Sequence, residues 1–385
     1  MTMRWPGRVG VLAGLTASQL WLVPESASAQ SVFRLTPSFS TTEQHDSNVF
    51  ATPVDSEADF VTRLTPAIES EYRSPVWTIS AGYLLDIERF AAHRELDSMD
   101  ARQHAGVVLS HRPAPRLAWG LEADVWKTRT PGELNQTTGL TLARAPARRL
   151  SLHPSVTRRF SAITTGTIDY TVSRDDLSGG AGATTHDVVA GLKRRRTPRD
   201  TFGLAYRFRE FAFNPAGASM SSAAVSQAVT FGWEHAMTRR LRLSFDAGPR
   251  LTNSSPSAEL IGAAQYQRGA ADFALSYART QATVIGLAGV ADTQSLSATG
   301  SWTLWSSTRV RVGPSMFRSA LDGMHADAYA LTVAVTRPLS RGLLVEVALD
   351  STGQQGSLYP HMANTTIGRR AALIRLIAGA SPVTR

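Results

Sequence analysis

Apolar and polar side chains alternate along this chain in strand-length segments that turns and loops separate. In residues 77–88 the odd positions are mainly apolar and the even positions are mainly polar. The same two-residue period returns in residues 117–125 and 202–209 and continues towards the end of the chain. Because successive side chains of a strand point to opposite faces, this period predicts strands with one apolar and one polar face.

The connections between these segments alternate between short turns and longer loops. The short turns are rich in Pro, Arg and Ser and lie at 73–75, 112–115, 158–162, 197–200, 237–240, 268–269, 306–309 and 340–342. The longer segments are polar or acidic and lie at 45–58, 91–99, 130–148, 177–186, 214–223, 253–258, 283–292, 321–326 and 352–363. Eight turns and nine loops predict about 18 strands, and 16 strands is the alternative. Residues 138–143 also alternate, so they either extend a loop or lengthen the strand that follows it.

The length and connectivity of these strands predict an all-β fold, a transmembrane up-and-down antiparallel β-barrel. Tilted strands of about nine to eleven residues span a bilayer, whereas strands of soluble sandwiches average about five or six. A closed barrel also leaves no strand edge, and unpaired backbone groups cost several kcal/mol each in hydrocarbon. Aromatic residues near the short turns predict a girdle at one membrane interface. They are Tyr72, Trp77, Trp119, Phe160, Phe202, Trp233, Phe273 and Trp305.

The start of the chain has the features of a secretory signal peptide. Arg4 and Arg8 precede a mostly apolar segment at 9–23, and Ala27 and Ala29 are the small residues that signal peptidase requires. We therefore expect a signal peptide at 1–29 and one outer-membrane barrel domain at 30–385, because no linker divides the chain. The chain contains no cysteine, so it has no disulfide and no thiolate metal site.

The first predicted hairpin carries a more specific pattern. It runs from Arg34-Leu35-Thr36-Pro37 through the acidic loop Asp46-Ser47-Asn48-Val49-Phe50 to Arg63-Leu64-Thr65-Pro66. This arrangement resembles the bacterial outer-membrane proteins of the β-barrel porin type 2 family, and the strand and loop rhythm extends the likeness over the whole exported chain. The resemblance implies an association with exopolysaccharide or capsule export. Such barrels usually end in an aromatic residue, whereas this chain ends at Arg385, so we expect its last strand to stop near Ala380.

Charged residues on the polar faces of the strands predict the lining of the lumen. The predicted lumen residues are Arg207, Arg209, Arg242, Arg250, Arg309, Arg311, Arg318, Glu88, Glu122 and Asp124. A lumen with both signs of charge hydrates a pathway, and a surplus of arginine favours anions. The alternative is that these arginines pair with lumen acids and brace the wall.

A second asymmetry in charge runs along the barrel axis. The basic residues predicted at the short-turn end are Arg73, Arg112, Arg116, Arg158, Arg159, Arg194, Arg195, Arg196, Arg199, Arg239, Arg240 and Arg341. The acidic residues predicted at the loop end are Asp46, Asp55, Glu57, Glu95, Asp97, Asp175, Asp176 and Asp322. With short turns facing the periplasm, the inner mouth is expected to attract an anionic chain or an acidic partner.

No pattern of catalytic or cofactor-binding residues stands out. Carboxylates in the first loop could in principle bind Ca²⁺ or Mg²⁺, and they are Asp46, Asp55, Glu57 and Asp59. Their spacing matches no known cation-binding loop, so we expect them to be solvated loop acids. A serine-type site needs a nucleophile and a base within hydrogen-bond reach. The histidines considered for that role include His104, His111, His153 and His186. His111 and His153 are expected towards the short-turn half of the barrel and His186 towards the loop half, so no pair is supported. We therefore expect no enzyme, no metal and no cofactor.

The sequence as a whole predicts a protein of the Gram-negative outer membrane that forms a polar pore or conduit, and the resemblance of the first hairpin implies a link to exopolysaccharide export. The expected partners are outer-membrane lipid and lipopolysaccharide, the barrel-assembly machinery, and anionic polysaccharide or export-system components. Nucleic acid is not an expected partner despite a pI of 10.4, because the chain is exported and carries no binding motif. Two alternatives remain open: an outer-membrane lipase or deacylase, and a plugged structural or adhesive barrel.

Overall fold

A computed structural model describes residues 31–214, 222–305, 307–359 and 365–379. The predicted signal peptide at 1–29 and the end of the chain after residue 379 lie outside these ranges. The eighteen strands within them are β1 Val32–Asp46, β2 Asp59–Arg73, β3 Trp77–Phe90, β4 Ser98–Ala114, β5 Leu117–Thr128, β6 Ala147–Arg159, β7 Thr164–Leu177, β8 Gly182–Arg195, β9 Asp200–Asn214, β10 Ser222–Ala236, β11 Leu241–Thr252, β12 Ser255–Arg268, β13 Ala271–Thr283, β14 Val290–Leu304, β15 Thr308–Leu321, β16 Met324–Ser340, β17 Leu343–Gly356 and β18 Thr366–Ala378.

The strands form one closed antiparallel sheet in which each strand pairs with its neighbours in sequence. Strand β1 pairs with β2 on one side and with β18 on the other, so the sheet has no free edge. The individual strands contain 12 to 17 residues, which is enough to cross a bilayer at a tilt. The predicted eighteen-strand up-and-down barrel is therefore confirmed, and the sixteen-strand alternative is excluded.

The two-residue period sends large apolar side chains to the outside of the barrel. Exposed fractions of 45 to 57% are found for Leu204, Val229, Phe231, Phe245, Leu275, Leu349 and Ile374. Such a continuous apolar surface is too extensive for a monomer in water and suits contact with lipid. The opposite faces of the same strands carry the polar and charged residues, so the polar side of the pattern forms the lumen.

Aromatic side chains gather outside the barrel near the short turns. The indole of Trp77 stacks on His111 with ring centroids 3.9 Å apart and meets Trp119 edge-on at 5.4 Å. On the other side of the barrel, Phe273 lies between Tyr266 and Trp302 at 6.3 and 6.4 Å. These contacts are those of an interfacial girdle, where amphipathic rings sit between hydrocarbon and water.

Three of the predicted loops are much shorter than expected, so short and long connections do not alternate strictly. The predicted loops 177–186, 253–258 and 321–326 are reduced to connections at 178–181, 253–254 and 322–323. Asn253 and Ser254 have φ angles of 43° and 71°, which are those of a two-residue hairpin turn. The polar residues on either side of each connection continue the strand pairing instead of forming a loop.

Helical structure in the described ranges consists of two 3₁₀ turns, Arg94–Leu96 and Pro131–Leu134. Neither is long and apolar enough to cross a membrane. The second belongs to residues 129–146, the connection between β5 and β6, which we call the crossing segment. Residues 138–143 form no strand and extend the connection, which is the first of the two predicted alternatives, but this connection folds into the barrel instead of outwards.

Candidate functional site

The lumen wall contains nine of the ten residues predicted to line it. Cross-strand register places these nine on the face opposite the exposed apolar residues: Glu88, Glu122, Asp124, Arg207, Arg209, Arg242, Arg250, Arg309 and Arg311. They do not form one site. They divide into a buried group in the loop-side half of the barrel and an exposed group near the short turns.

Arg318 differs from the prediction, because it lies on the outer face of the barrel. It is an odd number of residues from Arg309 and Arg311 along β15, so the alternation of the strand turns it outwards. Its guanidinium donates two hydrogen bonds to Asp327 on β16, at 2.8 and 3.2 Å, and the side chain is 68% exposed. Met316, two residues earlier on β15, is also exposed on this face.

Three predicted lumen arginines surround one carboxylate, and we call Arg207, Arg209, Arg250 and Glu259 the Glu259 cluster. Arg207 Nη1 lies 2.9 Å and Arg250 Nη1 lies 3.2 Å from the carboxylate, and Arg209 Nη2 also donates to it. Arg250, Arg209 and Glu259 are only 2, 4 and 1% exposed. Asp187 on β8 lies within 3.3 to 3.5 Å of Arg207 and Arg209. This cluster braces the wall between β8 and β12 and offers little free charge to a solute.

A second ion-pair network lies across β2, β3 and β4. Arg63 donates to Glu88 at 2.6 Å, and Arg102 lies 2.7 Å from Asp86. Arg144 of the crossing segment donates to the other oxygen of Glu88 at 2.8 Å. Glu88 was predicted as a lumen residue, and its observed role is to hold the crossing segment against the wall.

The remaining predicted arginines are exposed to the lumen near the short turns. Arg242 is the second residue of β11, and Arg309 and Arg311 are the second and fourth residues of β15. Arg309 donates a hydrogen bond to Ser301 at 3.0 Å, and none of the three forms an ion pair with a described residue. Their charges therefore face the water of the turn-side mouth.

Glu122 and Asp124 lie on β5, and Asp124 is 2.9 Å from His104 Nε2.

The crossing segment folds into the barrel and traverses the lumen near its loop end. It leaves β5 at Thr128 and reaches the wall on the far side, where Gly139 packs against the ring of Phe317 on β15. Gly139 has a φ of +63° and no side chain, so the backbone can approach this ring directly. The segment then returns to the start of β6 at Ala147.

Apolar side chains hold the crossing segment in place. Leu140 packs with Val284, Leu321 and Leu358, and all four are at most 7% exposed. Leu134 and Leu142 pack with Ile285 in a second buried cluster. Val284 and Ile285 belong to residues 284–289, the connection between β13 and β14, so two connections meet inside the lumen.

Hydrogen bonds add specificity to this contact. Asn135 Oδ1 accepts a bond from the Ile285 amide at 3.1 Å, and the Thr141 amide donates to Gln354 Oε1 on β17 at 2.8 Å. The Tyr359 hydroxyl donates to the Ile285 carbonyl at 2.6 Å, and burial raises the pKa of this phenol. Each buried polar group named here therefore has a partner, which favours one fixed position of the segment.

At the loop end of the barrel, the first two loops are joined through one histidine. His93 Nε2 lies 2.6 Å from Glu57 and its Nδ1 lies 2.9 Å from Asp59. These hydrogen bonds, first to Glu57 and then to Asp59, raise the pKa of His93. Burial raises the pKa of Asp59, but hydrogen bonds from the backbone and ring of His93 and from the Ala92 amide outweigh it and lower this pKa to about 2.

The first-loop acids considered for a cation are dispersed among different partners. Arg369 Nε donates hydrogen bonds to the two carboxylate oxygens of Asp46, at 2.9 and 3.0 Å. Glu57 and Asp59 instead contact His93. Within the described ranges, no three His, Asp or Glu side chains come together in a way that could hold a metal ion.

The four histidines considered for catalysis are also separated. His104 faces Asp124, His111 stacks on Trp77, His153 lies 3.7 Å from Asp169, and His186 Nδ1 is 2.7 Å from the Tyr170 hydroxyl.

The comparisons with known proteins return similarity in structure alone. No family model matches the chain, so the resemblance of the first hairpin to one porin family stays a prediction. No curated protein matches it either. Similar solved structures include OpdQ of Pseudomonas aeruginosa, with 10% identity, a TM-score of 0.43, and coverage of 90% of this chain and 96% of that chain.

Two further structures from the same organism are similar to this chain. The siderophore receptor PirA has 9% identity and a TM-score of 0.45, with coverage of 90% of this chain and 80% of that chain. The outer membrane protein opdK has 11% identity and a TM-score of 0.45, with coverage of 89% and 98%.

Proposed function

We propose that this protein is a bacterial outer-membrane barrel that conducts anionic solutes and serves an exopolysaccharide export system. The carrying observation is the position of the unpaired lumen arginines. Arg242, Arg309 and Arg311 lie just inside the short-turn mouth, and the turn residues around that mouth are also rich in arginine. A ring of like charge at the entrance of a water-filled pore raises the local concentration of counter-ions.

The apolar outer face and the aromatic contacts near the turns support the placement in a membrane. In this placement the short turns face the periplasm and the long connections face outwards. The polysaccharide cargo is proposed from the resemblance of the first hairpin and from the sign of the inner mouth. A polyanion approaching from the periplasm meets the arginine-rich end first.

The crossing segment favours a second candidate, a barrel that is closed and acts through its outer surface. Its apolar docking and its hydrogen bonds fill part of the loop-side lumen. The two candidates differ in conductance, because a closed barrel gives no stable steps in a planar bilayer.

An experiment with an anionic polysaccharide tests the proposed conduit. The purified protein is inserted in a planar bilayer with known orientation, and alginate is added to one side at a time. We expect current blockade from the short-turn side only, and weaker blockade as the salt concentration rises. Equal blockade from both sides, or none, would contradict the proposal. A neutral dextran of similar length is the control.

A further inference from the structure

A concave apolar surface on the outside of β1 to β6 is not explained by the pore. It has a volume of about 530 Å³. Its floor consists of the small side chains Ala81, Ala105 and Ala123, whereas Tyr83 and Val125 stand beside Ala105 in register and form part of its wall. The other large lining residues are Leu35, Ile68, Val107, Leu150 and Leu152. All of these lie on the lipid side of the barrel, so the surface is a pocket open to hydrocarbon.

Basic side chains border this pocket on its loop side. Lys127 follows Val125 by two residues on β5 and pairs with Arg148, which precedes Leu150 by two residues on β6. Both basic residues therefore face outwards, one step along the strands from the pocket. Lys127 is 46% exposed, and Arg129 just beyond it is 45% exposed.

The acids near these cations do not neutralise all of them. Asp100 lies 2.5 Å from Lys127 and 3.5 Å from Arg129, so one carboxylate is shared by two cations. Arg148 is exposed and forms no ion pair with any described residue, because Asp176, which lies opposite it in register on β7, pairs with Arg174 at 3.2 Å. An exposed guanidinium beside a shared carboxylate, at the edge of an apolar pocket, suits a ligand that carries both an anion and hydrocarbon.

We propose that this surface binds one phosphorylated, multiply acylated lipid of the lipid A type. The inference rests on the membrane placement in the proposed function, because the long connections then lie on the side of the outer leaflet. Acyl chains fill the pocket over Ala81, Ala105 and Ala123. A phosphate contacts Lys127 and Arg148, and Asp100 remains with Arg129.

The test measures the lipid that stays bound after detergent purification. The protein is mixed with bis-phosphorylated lipid A and washed, and native mass spectrometry counts the lipid retained per barrel. Two variants disrupt the proposed lipid site in different ways. Lys127→Gln with Arg148→Gln removes the phosphate contacts, and Ala105→Phe fills the pocket without a change in charge.

A matched control lies at the other side of the barrel. Arg279 and Arg318 are both paired with Gln294 in register and face outwards, so Arg279→Gln with Arg318→Gln removes the same charge elsewhere. Folding of each variant is checked by heat-modifiable migration on gels, which does not depend on lipid or on conductance.

We expect each site variant to retain roughly tenfold less lipid A than the wild type, and the control variant to retain the wild-type amount. Equal losses in the control variant would overturn the site, because they would show a general effect of surface charge. Retention of phosphatidylglycerol as strong as that of lipid A would overturn the choice of ligand. Normal conductance in the site variants separates this inference from the proposed pore.

Discussion

Individual ion pairs decide which arginines of the lumen are available to a solute. Arg209 and Arg250 are buried against Glu259, whereas Arg309 and Arg311 are exposed near the short turns. The sequence left open whether lumen arginines brace the wall or serve a pathway. In the structure the loop-side arginines brace the wall through Glu259, whereas the turn-side arginines have no carboxylate partner among the described residues, and their role in a pathway stays a proposal.

Removing the carboxylate of the Glu259 cluster is expected to destabilise the barrel strongly. Glu259→Gln leaves buried guanidinium groups without their shared partner, which costs about 3–5 kcal/mol when one member of a buried pair is lost. The measurement is the temperature at which the heat-modifiable band shifts on a gel. Glu234→Gln is the control, because its pair with Lys193 is 48 to 57% exposed and contributes at most about 1 kcal/mol. Equal shifts for the two variants would contradict the role of the cluster.

The contact between the first two loops is expected to weaken in alkaline solution. Because the pKa of His93 is raised, its protonation stabilises the contact between the loops. This stabilisation is complete below about pH 6.5 and is lost as the pH rises through the raised pKa. Because the pKa of Asp59 is lowered, its ionised carboxylate also stabilises this contact. That stabilisation is present above about pH 3.9 and is lost as the pH falls through the Asp59 pKa of about 2. Between these limits the two loops are held most tightly.

A spin label reports this contact, because the chain has no other cysteine for the label to modify. A label at Ser56→Cys is expected to become more mobile between about pH 6 and about pH 9. The same label in a His93→Gln background is expected to show a flat profile. A label at Ser254→Cys in the tight turn is the control. If the label in the His93→Gln background still became more mobile over the same pH range as in the wild type, another group would control the loop.

At the scale of single elements, strands were more predictable than the connections between them. The two-residue period specifies a face at each position, and each of the eight short connections overlaps the range that the sequence predicts for it. The connection at Asp322-Gly323 was predicted as part of a loop, although Asp-Gly is a strong signal for a two-residue hairpin. Polar residues around it indicated a loop, but polar strands that extend beyond a membrane have the same composition.

The crossing segment was not predicted, and its composition explains why. Residues 130–148 are polar enough to indicate an external loop, and their contacts join elements far apart in sequence, such as Asn135 with Ile285. A single sequence gives no information on such contacts. The only local sign is the apolar character of Leu134, Leu140 and Leu142, which an exposed loop does not need.

Releasing the crossing segment is expected to widen the pore. Replacement of residues 131–142 by a Gly-Ser sequence of equal length removes the apolar docking and the Asn135 hydrogen bond, and leaves the strands unchanged. We expect single-channel conductance to rise roughly twofold or more, because conductance follows the width of the narrowest section. Leu150→Ser on the outer face is the control and should leave conductance unchanged. No increase on release would mean that the constriction lies elsewhere.

At the scale of the whole molecule, the barrel carries an uneven distribution of charge along its axis. The loop-side lumen contains arginines that are matched by acids and a segment that narrows the passage. The turn-side mouth contains exposed arginines in the lumen and in the turns around it. Under the proposed function, the exposed arginines of the turn-side mouth would select anions, and the crossing segment would limit the current at the loop end.

The reversal potential of single channels under a KCl gradient shows whether the barrel conducts anions. We expect stable conductance steps and a reversal potential with the sign of anion preference. In Arg242→Gln with Arg309→Gln and Arg311→Gln, that potential should move towards zero while the steps remain, because the entrance loses its unpaired positive charge. Cation preference in the wild type, or the absence of any stable step, would contradict an anion-conducting barrel.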